Sequence, residues 1–336
     1  MVTTPQPADT KLVIGSFLKL ALWHPPGELI ERVRSRWPQM RVLLLSRPDS
    51  LPAELPDTNI FVGFMLKPDQ LALASRLQWI HVISAGVSQV MIPEIRNSAI
   101  VVTNSSGVNA VSMAEQVLGM MLAMARDFPA AMRYQLRRHW AQQEIWEGPA
   151  RPRELAGQVA VIAGFGAVGR AVAERLRALG VRVWAVSHSG KIEAGLAERV
   201  FTSGELSAAL PGADFLVLAA PETPDTFHMI GAAQLASMKP SAILINVARG
   251  SLVDEPALVD ALQRRVIAAA ALDVTAAEPL PPESPLWSLE NVFITPHLGG
   301  VSDHIWERQG DLLLDNLERW FDGKPLRNRV DFARGY

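Results

Sequence analysis

Short apolar runs rich in valine, isoleucine and leucine alternate with amphipathic stretches along most of this chain, and this alternation limits the folds open to it. One series of runs lies in the N-terminal third, and a second begins near residue 158. Strand-like runs separated by helices are typical of βαβ units, whose strands share one parallel sheet. Two such series predict an α/β fold with two parallel-sheet domains.

The two series supply the individual predicted elements. The predicted strands are KLVIGSFL, RVLLLS, IFVGFM and WIHVISAG, and then QVAVIAGFG, VRVWAVS, ADFLVLAA, AILINVA, AAALDV and NVFITP. Helices are predicted for GELIERVRSRW, PDQLALASRL, residues 111–126 and residues 303–321, the last of which ends before Gly323 and Pro325. The residues between the third helix and ELAG form a polar stretch.

The composition and charge exclude several classes of protein. A net charge of −2 gives no electrostatic reason for binding nucleic acid or an anionic membrane. The absence of cysteine excludes disulfides, thiolate metal sites and a cysteine nucleophile, and the histidines do not cluster as metal ligands do. We therefore expect no metal site. The first residues lack a basic segment followed by an apolar run, so we also expect a cytoplasmic protein.

Three glycines separate the strand VAVIA from an amphipathic helix. Gly164 permits a tight turn, Gly166 allows the backbone to approach a pyrophosphate, and Gly169 allows the helix to pack closely. Ala167 and Val168 begin that helix, whose free N–H groups and dipole favour an anion. The pattern predicts a dinucleotide-binding loop; the alternative is a glycine-rich turn without a ligand.

The next strand ends in a turn that bears on the choice of coenzyme. NAD enzymes usually place an acid about 20 residues after the glycines to bind the ribose hydroxyls. Here the tip carries Ser187, His188 and Ser189, and Lys191 follows. Hydroxyls and a cation suit a 2′-phosphate, so the sequence favours NADP(H) over NAD(H). A solvated polar turn, which NAD enzymes also have, is the alternative.

Four ionisable residues follow predicted parallel strands, at the edge where α/β sheets bind ligands. Arg249 can grip a carboxylate with two hydrogen bonds. His297 can exchange a proton near neutral pH, and a carboxylate such as Glu278 would raise its pKa. Asp273 ends the strand between them. Any one of these residues alone is more typical of a cap or a surface charge, but together they predict a site.

Several motifs resemble, in order, the signatures of the D-isomer-specific 2-hydroxyacid dehydrogenase family. They are GFGAVGR, INVARGSLVDE, AALDVTAAEPLPPESPLW and NVFITPHLGG, and the likeness extends over roughly residues 75–331. The resemblance implies two Rossmann-like or flavodoxin-like domains with parallel sheets and an active site in the cleft between them. It implies a substrate domain of residues 1–104 plus 299–336, a dinucleotide-binding domain of residues 105–298, and a homodimer formed through the latter.

The resemblance also implies roles for single residues. Arg249, Glu278 and His297 match the family's catalytic arginine, acid and histidine, and Asp273 matches the residue that contacts the nicotinamide carboxamide. The amides that bind the substrate carboxylate match Ala85, Gly86 and Val87.

The spacing between acid and histidine, 297 − 278 = 19 residues, is similar to that of the glyoxylate/hydroxypyruvate reductase branch. We therefore expect reduction of a small 2-oxo acid to the D-2-hydroxy acid. Two alternatives stay open: a dehydrogenase for a larger 2-oxo acid, and a dinucleotide-sensing, corepressor-like protein of the same fold.

Overall fold

The computed structural model describes residues 5–335, which form two compact units. Unit 1 contains the described residues up to Val108 and from Val301 onward, and unit 2 is Asn109–Gly300. The assignment of unit 1 to the substrate and of unit 2 to the coenzyme stays a prediction. Within residues 5–335, no helix is long and apolar enough to cross a membrane.

The strands and helices alternate along the chain. The strands are β1 (Lys11–Gly15), β2 (Arg41–Leu44), β3 (Ile60–Gly63), β4 (Trp79–Val82), β5 (Val101–Asn104), β6 (Val159–Ala163), β7 (Arg182–Ser187), β8 (Arg199–Thr202), β9 (Phe215–Leu218), β10 (Ile243–Asn246), β11 (Ala269–Leu272) and β12 (Val292–Ile294). The helices are α1 (Gly27–Arg36), α2 (Leu51–Glu54), α3 (Pro68–Leu73), α4 (Pro93–Arg96), α5 (Ala110–Ala125), α6 (Phe128–Leu136), α7 (Gln142–Glu147), α8 (Ala167–Ala178), α9 (Leu206–Ala209), α10 (Ala232–Ser237), α11 (Glu255–Gln263) and α12 (Ile305–Phe321).

Unit 1 is built on a five-stranded parallel sheet in the order β2-β1-β3-β4-β5, the flavodoxin-like order. Strands β1, β3 and β4 are buried along their whole length, because helices cover both faces of the sheet. Helices α1 and α12 pack together on one face. The C-terminal helix therefore completes the core of the N-terminal domain.

Unit 2 is built on a seven-stranded parallel sheet in the order β12-β11-β10-β9-β6-β7-β8. This is the Rossmann order with one added strand, and the strand order reverses between β6 and β9. Two apolar clusters, one on each face, bury the central strands completely. The predicted α/β class with two parallel-sheet domains is thus confirmed.

Several elements of the chain were not individually predicted, among them two strands and two helices. Strands β5 and β8 are only four residues long and carry polar side chains, so neither stood out as an apolar run. The stretch after α5, which was described from the sequence only as polar, contains α6 and α7. Pro129 lies in the first turn of α6, where proline is compatible with a helix.

Candidate active site

The carboxyl ends of β10, β11 and β12 lie side by side and carry polar side chains. Arg249 lies three residues beyond β10, Asp273 directly follows β11, and His297 lies three residues beyond β12. Because these strands are parallel neighbours, their ends meet at one edge of the sheet. Glu278 comes from the loop after β11. The structure therefore brings the predicted ionisable residues of unit 2 to a single edge.

His297 and Glu278 form a direct pair. The distance between His297 Nδ1 and Glu278 Oε2 is 2.6 Å, and the backbone N–H of Thr275 donates to the other carboxylate oxygen at 3.2 Å. His297 has a φ of 54°, in the left-handed region that residues other than glycine seldom adopt. Such strain, held by the surrounding structure, is typical of functional positions.

The pair raises one pKa and lowers the other. The hydrogen bond to Glu278 raises the pKa of His297, against the opposing effects of partial burial and the nearby Arg249 charge. Partial burial acts to raise the pKa of Glu278, but the hydrogen bond and charge of His297 outweigh it and lower that pKa. Glu278 therefore stays a carboxylate while His297 keeps its proton to a higher pH than a free imidazole. The imidazole's Nε2 is left to face a ligand.

Asp273 is buried and holds the loop that bears the histidine. Its carboxylate accepts from the backbone N–H of Leu298 at 2.9 Å and of Gly299 at 2.8 Å. The hydroxyl of Thr295 donates to it at 2.5 Å, and Gln116 of α5 donates to that hydroxyl at 2.8 Å. Thr295 and Gln116 were not predicted; a polar residue on the apolar α5 was the only available signal.

The buried side chain of Asn246, at the end of β10, fixes the turn that bears Arg249. Asn246 donates from Nδ2 to the carbonyl of Arg249 at 2.9 Å and accepts from the N–H of Ala248 at 3.0 Å. The guanidinium donates to the Ala248 carbonyl at 2.6 Å. Its remaining N–H groups have no partner within the described part of the chain, so Arg249 can still bind a carboxylate.

Two further contacts join the arginine turn to the acid-bearing loop. A Cβ on Gly250 would lie 2.0 Å from the carbonyl of Thr275, so only glycine allows this approach. Glu255 accepts from the backbone N–H of Ala276 at 2.9 Å. Neither residue was singled out from the sequence, although both belong to the INVARGSLVDE motif. They keep Arg249 and Glu278 at a fixed separation.

The glycine loop between β6 and α8 has the geometry of an anion site. Gly164 has a φ of 97° and lies so close to β9 that a Cβ would be 2.4 Å from the Ala220 nitrogen. A Cβ on Gly169 would be 2.2 Å from the Gly164 carbonyl, whereas one on Gly166 would meet nothing within 4 Å. Open space thus remains at the helix N-terminus formed by Ala167 and Val168, where a pyrophosphate fits.

The turn after β7 has no carboxylate. The Ser187 hydroxyl is buried, and no group among the described residues forms a hydrogen bond with it. His188, Ser189 and Lys191 are exposed, and the hydroxyl of Ser189 accepts from the backbone of Lys191 at 3.3 Å. Within residues 5–335, no group of three or more acidic or histidine side chains is arranged to hold a metal ion.

The predicted carboxylate-binding loop belongs to unit 1. Ala85, Gly86 and Val87 follow the carboxyl end of β4, the fourth strand of the five-stranded sheet. Ala85 is exposed, Gly86 is half-buried and Val87 is buried in the core. The edge of a parallel sheet where the strands end is again the ligand-binding edge.

Known proteins are similar to this chain in sequence and in fold. The chain is 32% identical over 340 residues to a glyoxylate reductase from Thermococcus litoralis, covering 98% of this chain and 96% of that one. It is 31% identical over 288 residues to D-3-phosphoglycerate dehydrogenase from Methanocaldococcus jannaschii, covering 84% of this chain. Only 53% of that dehydrogenase is matched, so the chain spans about half of its length.

A solved structure and a family model agree with these relatives. The structure of an NADPH-dependent glyoxylate/hydroxypyruvate reductase from Sinorhizobium meliloti, in complex with NADP and sulfate, superposes with a TM-score of 0.81 at 26% identity. It covers 97% of this chain and all of that one. The model for the NAD binding domain of D-isomer specific 2-hydroxyacid dehydrogenases matches residues 118–299. The chain therefore belongs to the D-isomer-specific 2-hydroxyacid dehydrogenase family.

Proposed function

We propose that this protein is an NAD(P)H-dependent reductase that converts a small 2-oxo acid into the D-2-hydroxy acid, and also runs the reverse reaction. The single observation that carries the proposal is the His297–Glu278 pair, with Nδ1 and Oε2 2.6 Å apart, near the guanidinium of Arg249. Reduction of a 2-oxo acid needs a proton donor for the carbonyl oxygen and a cation that binds the carboxylate, and His297 and Arg249 can supply them.

Each side chain then has a distinct task. The reduced nicotinamide, when bound, supplies a hydride to the carbonyl carbon. His297 donates a proton from Nε2 to the carbonyl oxygen, and Glu278 stabilises the imidazolium through Nδ1. Arg249 binds the substrate carboxylate and polarises the carbonyl group. In the reverse direction, neutral His297 accepts the hydroxyl proton.

The substrate class is tested by a panel of 2-oxo acids with NADPH and with NADH, followed by chiral analysis of the products. We expect turnover of glyoxylate and hydroxypyruvate, since relatives in both comparisons carry the name glyoxylate reductase. A methylene changes binding in an apolar pocket by only about 1–3 kcal/mol, so larger 2-oxo acids should overlap. An L product would refute the stereochemistry, and a chain that binds NADPH without turning over any 2-oxo acid would favour a sensing role.

We propose NADP(H) as the preferred coenzyme because the turn after β7 offers Ser187 and Lys191 and no carboxylate. NADPH should therefore give the higher kcat/KM. Ser187→Asp should shift the ratio of the two kcat/KM values toward NADH, because a carboxylate repels the 2′-phosphate and accepts from the 2′-hydroxyl. Ser241→Asp, at an exposed position just before β10 on the opposite, amino edge of the sheet, serves as the control. A parent enzyme that prefers NADH would contradict the assignment.

We also propose that two copies associate through unit 2. Phe128, Met132 and Leu136 lie four residues apart on α6, on one face, with 53%, 61% and 84% of their surfaces exposed. Trp140 lies in the loop after α6 and is 90% exposed. Large exposed apolar side chains grouped on one helix face are typical of protein interfaces. Sedimentation of the purified chain tests the proposal.

A cytoplasmic location without nucleic-acid partners stays a prediction.

A further inference from the structure

The loop formed by residues 84–87 begins two residues after the end of β4, and the carbonyl oxygens of its first three residues all accept hydrogen bonds. The carbonyl of Ser84 accepts from the backbone N–H of Ser105 at 3.0 Å. The carbonyl of Ala85 accepts from Nδ2 of Asn104, the last residue of β5, at 2.8 Å. The neighbouring strand thus fixes the first two peptide groups of the loop.

The carbonyl of the third residue, Gly86, is held by the loop itself and by Gln89, which also contacts the segment after β3. The carbonyl of Gly86 accepts from the hydroxyl of Ser84 at 2.7 Å and from Gln89 Nε2 at 3.3 Å. Gln89 Nε2 is also 3.0 Å from the Ser84 hydroxyl and 3.2 Å from the carbonyl of Phe64, which follows β3. Gln89 therefore links the loop to the strand on its far side.

These contacts determine where the N–H groups of the loop point. In a trans peptide the N–H lies opposite the preceding C=O in the same plane. With the carbonyls of residues 84–86 held by the protein, the N–H groups of Ala85, Gly86 and Val87 face away from those partners. None of the three donates to an acceptor within residues 5–335. Successive backbone N–H groups without a protein acceptor can together form a binding site for an anion.

We propose that Asn104 and Gln89 are the positioning residues that aim these N–H groups at the carboxylate of the substrate; this rests on the proposed function. Asn104 is 5% exposed, and its Oδ1 accepts from the N–H of Ser106 at 3.1 Å, so the direction of its amide is fixed. Neither side chain needs to contact the substrate. Each acts by keeping a carbonyl turned away from the bound anion.

Asn104→Leu and Gln89→Met test this role, because each retains the approximate size of the side chain and removes the donor. We expect KM for glyoxylate, and Kd for oxamate bound to the enzyme with NADPH, to rise about tenfold in each variant, as loss of one oriented hydrogen bond implies. The kcat should stay within about twofold, since the interaction is made equally in the ground and transition states. The Kd for NADPH should not change.

The control is Asn59→Leu, which removes a side-chain bond to the backbone N–H of Lys11 at the amino end of the same sheet. It should leave KM and the oxamate Kd unchanged. The inference is overturned if the parent reduces glyoxylate and binds oxamate while both loop variants bind oxamate as the parent does. It is also overturned if all three variants lose affinity equally. A parent that neither reduces a 2-oxo acid nor binds oxamate overturns the proposed function as well.

Discussion

His297→Ala should lower kcat for glyoxylate reduction by about 10²–10⁴-fold, the usual contribution of a positioned general acid. Among the described residues of unit 2, His297 is the only histidine in the segments that follow β10, β11 and β12, and Glu278 is kept as a carboxylate that cannot donate. The Kd for NADPH should not change, because the glycine loop follows a different strand. Steady-state kinetics and a coenzyme titration measure the two quantities.

The pH profile distinguishes proton donation from a structural effect. Reduction needs the imidazolium, and the pKa of His297 is raised, so kcat of the parent should be level at lower pH and fall as pH rises through that raised pKa. The residual activity of His297→Ala should lack this fall. His304→Ala is the matched control, since His304 is an exposed histidine 2.8 Å from Glu307. If His297→Ala retained the parent's kcat and profile, the assignment would be wrong.

Lowering the pH from about 7 to 4 should cost the parent about 3 kcal/mol of unfolding free energy through His81 alone. Burial lowers the pKa of His81 from 6.5 to about 4, and each unit is worth about 1.4 kcal/mol. The unfolded chain takes up the proton below pH 6.5 while the folded chain resists until about pH 4. Stability at this residue is therefore fully present above pH 6.5 and is lost as the pH falls.

His81 is buried among hydrogen-bonding groups that are satisfied by a neutral ring. Its Nδ1 is 2.8 Å from the hydroxyl of Thr103, which also accepts from the Trp79 indole at 2.8 Å. His81→Gln stays neutral throughout, so its unfolding free energy should fall less between pH 7 and 4 than that of the parent. Urea unfolding at several pH values measures the difference. His24→Gln, an exposed position, should follow the parent; equal pH slopes for all three proteins would refute the prediction.

The sequence predicted the architecture well because the central strands of both sheets are buried on both faces and stand out as apolar runs. It could not predict the contacts that support the candidate site. Gln116 and Asp273 are 157 residues apart, and no local pattern indicates that α5 reaches the end of β11. The hydrogen bond from Asn104 to the Ala85 carbonyl likewise depends on how segments from separate strands fold over the sheet edge, whereas a carboxylate beside His297 was expected from the sequence.

Gly250 allows the loop after β10 to lie in direct contact with the loop after β11. Because its α-carbon lies directly against the Thr275 peptide, the backbone after β11 cannot shift toward β10, and the Thr275 N–H in turn holds Glu278. The stretch from Thr275 to Glu278 therefore has a fixed length. A variant with residues inserted after Pro279 should therefore keep Glu278 in place. One extra residue before Glu278 would carry the carboxylate out of reach of the imidazole.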